Sequence, residues 1–188
     1  DKDVSDVARK LSMIWNMYDF FTMYAEVDEF TFPYDTVSSD AFLVHRITDT
    51  AYSDTPESSS HTGTENSFQI SVDIDKLSNP LDRWIVSRVH RLTDHVAKFM
   101  NQYNIPDALS AVIPFVDDAS NWYVRRSRRR FWKSEDDADK AQAYQTLHYV
   151  LVRLSLVLAP FTPFLAEELY QHLTGGESVH LLDWPTDN

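Results

Sequence analysis

NPLDRWIVSRVHRLTDHVAKFMNQY, residues 79–103, is the stretch on which the fold turns. Asn79 is a side-chain cap for a helix start, and Pro80 suits the first helical position, where no backbone donor is needed. Leu81, Trp84, Ile85, Arg88, Val89, Leu92, Val96, Phe99, Met100 and Tyr103 then keep helical spacing for about six turns. Downstream, Pro106 opens another helix with Leu109, Val112, Ile113, Val116, Ala119 and Tyr123 on one side. Pro114 falls inside it and predicts a kink before the chain runs into a cluster of arginines. A fourth helix is expected over 135–159, starting near Ser134 with Glu135, Asp136 and Asp137 in the dipole-favoured first turn. From Tyr144 to Leu158 it is apolar on most sides, which marks it as central, and Pro160 stops it. Thr162 and Pro163 start a fifth helix that Gly175 and Gly176 end. The tail, 177–188, is expected to pack back as an extended strip over 179–185.

Upstream, Val4, Val7, Leu11, Ile14, Tyr18, Phe21 and Ala25 repeat at 3-4-3-4 spacing, and Ala8 and Trp15 widen the stripe, so a helix is predicted over 3–29. Residues 31–78 differ in kind, with Pro33, Pro56, Gly63, a run of serines from 58 to 60 and scattered acids. They read as an acidic insertion or linker. Alternating pieces at 41–47 and 67–74 are candidate strands of a small hairpin, and 48–66 reads as a solvated loop. The expectation is one all-α domain over 1–188, a bundle of about five helices carrying one acidic insertion.

Composition narrows the function classes. In 188 residues, 43% are hydrophobic and 13% aromatic, enough for a packed core. Three glycines argue against a Gly-rich phosphate loop or a dinucleotide turn. The absence of cysteine excludes disulfides, thiolate metal sites and a thiol nucleophile. No run of apolar residues is long enough to span a bilayer. Beginning on Asp1 rather than Met, the chain is expected to be a piece of a larger cytoplasmic polypeptide.

The net charge of −12 conceals an uneven distribution. Residues 19–75 hold twelve acids against Arg46 alone, whereas 76–188 hold fourteen acids and thirteen bases. Within the latter, Arg125, Arg126, Arg128, Arg129, Arg130 and Lys133 place six positive charges in nine residues. At a screening length of about 8 Å, distant acids do little to cancel such a patch. The segment SNWYVRRSRRRFWK, 120–133, interleaves these cations with Trp122, Tyr123, Phe131 and Trp132. Guanidinium groups neutralise phosphates and aromatic faces stack on unpaired bases, a combination suited to single-stranded RNA loops. The bland reading is a salt-bridge network with Asp117, Asp118, Asp136, Asp137 or Asp139. Tyr123 shares the apolar face and reads as core.

Other constellations offer less. The seven histidines do not form the pair of helical Glu-x-x-His motifs that a di-metal bundle needs, so no metal site is expected. His148, inside the most apolar helix, reads as a hydrogen-bonded core histidine. Asp117-Asp118 lacks the downstream acids of a metal–diphosphate site and reads as a partner for neighbouring arginines. No catalytic residues are found.

Three strings, LDRWIVSR (81–88), SNWYVRRSRRRFW (120–132) and LAPFTPFLAEELY (158–170), resemble the anticodon-binding domain of isoleucyl-tRNA synthetases, in that family's order and spacing. WNMYDFFTMYA (15–25) resembles the domain's first helix and VHLLDWP (179–185) its end. Class I synthetases for valine, leucine and methionine share the helical domain. The resemblance implies a bundle that holds the anticodon stem-loop of the isoleucine tRNA next to the rest of a synthetase chain. Full-length members use ATP and Mg, with HIGH and KMSKS motifs that this sequence lacks, so no cofactor is expected here. The implied RNA contacts are phosphates at Arg125, Arg126, Arg128, Arg129, Arg130 and Lys133. Trp132 and Trp122 are the implied stacking groups, and Asn16 and Asn121 the implied base readers. Arg83 and Arg88 are second-rank phosphate candidates, and Asp82 reads as an N-terminal dipole partner. On an uninterrupted helix 122, 125, 129 and 132 would share one side, and 121, 128 and 131 the adjacent row. The alternatives are the corresponding domain of a valine or other class I enzyme, and a helical protein–protein module.

Overall fold

The structure is a computed structural model that describes residues 2–30, 43–46, 69–133 and 136–185. Among these described residues, five helical passes form one bundle. The first is α1 (Lys2–Val27), whose Ile14, Met17 and Phe21 enter the core. The second is α2 (Pro80–Met100). Asn79 caps it as its spacing predicts, the side-chain oxygen accepting from Leu81 N at 2.9 Å. The buried stripe of α2 runs through Asp82, Ile85, Val86, Val89, Leu92, Thr93 and Val96. It contains a carboxylate.

The third pass is broken. Helix α3 (Ile105–Ser110) stops where the ring of Pro114 would meet the Ser110 carbonyl, four residues back, and α4 (Val112–Asp117) restarts after Ala111. The kink therefore sits one turn before the proline that causes it. A π-helical stretch, Asp118–Val124, follows and leads into α5 (Arg125–Trp132).

Helix α6 (Asp137–Leu158) is central: every residue from 146 to 158 is buried. Asp136 caps it, accepting from Ala138 N at 3.0 Å and Asp139 N at 3.3 Å, so the described start falls two residues after the expected one. Ser134 and Glu135 lie outside the described residues. Helix α7 (Pro163–Thr174) packs along α6 and ends at Gly175, whose φ of 68° is a left-handed conformation that glycine adopts without strain. The tail returns through a 3₁₀ turn, Val179–Leu181, rather than a strand-like strip. Val179 is buried there, with Leu182 and Trp184 against the core.

The alternating pieces of the acidic section do pair. β1 (Leu43–Arg46) and β2 (Gln69–Val72) are antiparallel, with Leu43 opposite Val72 and Arg46 opposite Gln69. Val72 and Ile74 pack on the helical core. The expected loop at 48–66 lies outside the described residues. No helix among the described residues is long and apolar enough to cross a membrane.

One buried-edge contact couples stability to pH. Asp28, just past α1, accepts a hydrogen bond from the Tyr144 hydroxyl and an ion pair from Lys140 at 2.7 Å. Burial alone would raise the Asp28 pKa, but the Lys140 and Tyr144 hydrogen bonds and the Lys140 charge outweigh it and lower the value. The Tyr144 phenol is pushed up, first by burial and then by Asp28. A carboxylate held below its unfolded value of about 3.9 adds stability above that pH and loses it as pH falls through the folded value. A phenol held above about 10 adds stability below pH 10 and loses it on further rise. Asp28→Asn is therefore expected to flatten the acid limb of a stability–pH profile from urea midpoints. An unchanged limb would remove the coupling.

Candidate nucleic-acid interface

The arginine segment is oriented by what lies beneath it. A π turn accommodates one more residue than an α turn, so adjacent Tyr123 and Val124 both point inward. Together with Val116 and Ala119 before them, and Ser127 and Phe131 after them, they make the inner face. Asn121, Trp122, Arg125, Arg126, Arg128, Arg129, Trp132 and Lys133 are left outside. Phe131, which an uninterrupted helix places in an outer row, is fully buried. It meets Tyr144 edge-on at 4.9 Å between ring centres and Phe20 at 5.1 Å. This aromatic cluster pins the end of α5 to α1 and α6.

Arg130 differs from its neighbours and corrects the expected phosphate set. Its side chain is 12% exposed. It grips Asp82 with two parallel bonds, Nη1 to Oδ1 at 2.7 Å and Nη2 to Oδ2 at 2.8 Å, and Asp139 through Nε at 2.9 Å and Nη2 at 2.7 Å. Tyr123 donates its hydroxyl to Asp82 Oδ1 at 2.8 Å. Asp82 has no exposed surface. An unpaired carboxylate there would cost several kcal/mol, roughly, so the fold must bring it a cation. Burial lowers the pKa of the Arg130 guanidinium, but the bonds to Asp82 and Asp139 more than reverse this, and the net shift is upward. Burial and the adjacent Asp82 charge raise the Tyr123 phenol well above its ordinary value. Arg130 is thus a structural cation, and Asp82 is its buried partner rather than a dipole ornament.

The remaining cations face outward. Among the described residues, Arg125, Arg126, Arg128, Arg129 and Lys133 form no ion pair. Three of the five acids that could have neutralised them are engaged elsewhere. Asp117 takes Lys10 of α1 at 2.5 Å, Asp118 takes Arg88 of α2 with Nε at 3.0 Å, and Asp139 takes Arg130. Trp122 is 50% exposed and Trp132 61%. The Arg126 guanidinium lies 4.6 Å over the Trp122 ring, and that of Arg128 lies 5.7 Å over Phe20. Such contacts hold planar cations flat without consuming their charge.

The two candidate base readers sit at the flanks. Asn121 is exposed and donates to Asp117 Oδ1 at 3.2 Å. Asn16 is exposed on α1, one turn before Phe20 and hence on the flank that approaches Arg128. Arg83 is exposed, whereas Arg88 is tied to Asp118. Sequence reading missed Phe20 and Lys10, which lie about a hundred residues from their partners in the chain and carry no local signal. His148 is buried with Nε2 at 2.9 Å from the Leu173 carbonyl, as a core histidine should be. Among the described residues no three carboxylate or imidazole groups converge as a metal site would require.

Comparison with known proteins gives this geometry its context. Residues 82–188 match the family described as the anticodon-binding domain of tRNA ligase. An isoleucine–tRNA ligase of Dehalococcoides mccartyi is 43% identical over 98% of the chain, one of Clostridium acetobutylicum 39% over 98%, and one of Treponema denticola 35% over 100%. The chain spans about 15% of the length of each of these curated relatives. With the helical order, the arginine strip and more than half of its residues matched to one description, the chain belongs to the anticodon-binding domain family of tRNA ligases.

Proposed function

We propose that this chain is the part of an isoleucine–tRNA ligase that grips the anticodon arm of the isoleucine tRNA. The observation that carries the reading is the outward strip of Arg125, Arg126, Arg128, Arg129 and Lys133, unpaired among the described residues and flanked by Trp122 and Trp132. In this reading the five cations take phosphates along the arm and displace counterions. Trp132 and Trp122 stack on loop bases that are free of pairing, and Asn16 and Asn121 hydrogen-bond to base edges. Arg130 does not touch RNA; with Asp82 it fixes the strip's orientation. The isoleucine identity rests on the names of the relatives and on the SNWYVRRSRRRFW string. ATP, Mg and the ligation step belong to other parts of such a ligase, working in the cytoplasm. Competition between isoleucine and valine tRNA transcripts for the chain tests the reading. The isoleucine transcript is expected to displace a labelled copy at lower concentration. Equal competition would remove the isoleucine identity, and no binding of either would remove RNA recognition altogether.

A further inference from the structure

Beside the strip lies an open cleft of about 400 Å³, lined by Asn79, Pro80, Leu81 and Trp84 at the start of α2 and by Trp122 and Arg126 across from them. Its volume lies within the range of about 300–1,000 Å³ typical of ligand sites. Its chemistry is unusual for this acidic chain. Two indoles and two aliphatic edges form the walls, one guanidinium lies at the rim over Trp122, and no carboxylate lines it. Arg83, next to Trp84, and Arg125, next to Arg126, are both exposed. An apolar, aromatic slot flanked by cations complements a flat, uncharged π-system that carries negative charge on either side. A nucleobase within a single strand has that form.

We infer that the cleft between Trp84 and Trp122 is a subsite for one unstacked base of the bound RNA, with Arg126 set against a flanking phosphate. This rests on the RNA reading above and adds a second wall, supplied by α2, that the arginine segment alone does not contain. The cleft is separate from the Trp132 surface. Trp132 lies ten positions after Trp122, roughly 15 Å along the helix axis, so the two indoles serve different nucleotides.

The test uses an RNA hairpin with the anticodon arm of the isoleucine tRNA, and variants in which each loop nucleotide in turn is made abasic. Trp122→Ala is expected to weaken binding by about tenfold or more while leaving the salt dependence unchanged, because stacking releases no counterions. Trp122→Phe, which keeps an aromatic face, should recover most of the loss. At one loop position the abasic hairpin should bind the original chain and Trp122→Ala equally well. If Trp122→Ala binds every hairpin as the original chain does, the cleft takes no base and Trp122 stacks on none, although binding of the RNA through the arginine strip stands. If the weakening persists unchanged at every abasic position, Trp122 acts through something other than a base, and the inference falls. Failure of the original chain to bind any hairpin would remove both.

Discussion

Asp82→Ala is expected to destabilise the chain by about 3–5 kcal/mol, the range for removing one partner of a buried ion pair. For a chain of this size that lowers the unfolding midpoint by on the order of 10 °C. Two groups lose a partner at once: the Arg130 guanidinium loses a two-pronged bond and keeps only Asp139, and the buried Tyr123 hydroxyl loses its acceptor. Arg130→Met should cost a similar amount by stranding Asp82. The double change Asp82→Ala with Arg130→Met should cost clearly less than the sum of the two, because no charge then stays buried. Circular-dichroism melts and urea titrations of the four proteins measure this cycle. Single changes below about 1 kcal/mol, or strict additivity, would show that the pair does not hold α2 to α5. The consequence reaches the surface. Residue 130 sits between Arg129 and Phe131, so whatever holds its guanidinium inward also sets the angle at which the neighbouring arginines leave the helix.

The second large effect concerns those neighbours. Replacing Arg128 and Arg129 together by alanine should weaken binding of isoleucine tRNA by about a hundredfold or more at low salt, two charge-assisted contacts at about 1.5–3 kcal/mol each being lost. The slope of log affinity against log salt should shrink by about 1.4–1.8, two phosphates' worth of released counterions. Arg88→Ala is the matched control. It deletes the same group from α2, yet Arg88 is already neutralised by Asp118, so the slope should hold. A slope unchanged in the double variant, or reduced as much by Arg88→Ala, would assign the electrostatics to a different surface.

How far these features could be read from residue order follows from the range of the forces involved. Helical spacing is local, and it located all five passes, the caps at Asn79 and Gly175, and the centrality of α6. The alternation at 41–47 and 67–74 likewise anticipated a hairpin, which pairs Leu43–Arg46 with Gln69–Val72. The π-helical stretch carried no such signal. Its extra residue shifts the helical phase between Ala119 and Ser127, and that shift, with packing against Phe20 and Tyr144, sends Phe131 inward. Arg130 looked like one cation among six because its partners lie 48 residues away at Asp82 and nine away at Asp139. A clue did exist at the other end of the pair. Asp82 sits one turn before Ile85 and Val86 on the stripe that continues through Val89 and Val96. A carboxylate in phase with a buried face demands a cation from elsewhere in the fold.

Hydroxyl-radical footprinting of the isoleucine tRNA transcript on the chain tests the central claim most directly. Protection is expected along the anticodon arm, and the Arg128→Ala, Arg129→Ala double variant should erase it under conditions where Arg88→Ala does not. Protection confined to the acceptor end, or an anticodon-arm footprint that survives the double variant, would contradict the assignment of this strip as the RNA-binding surface.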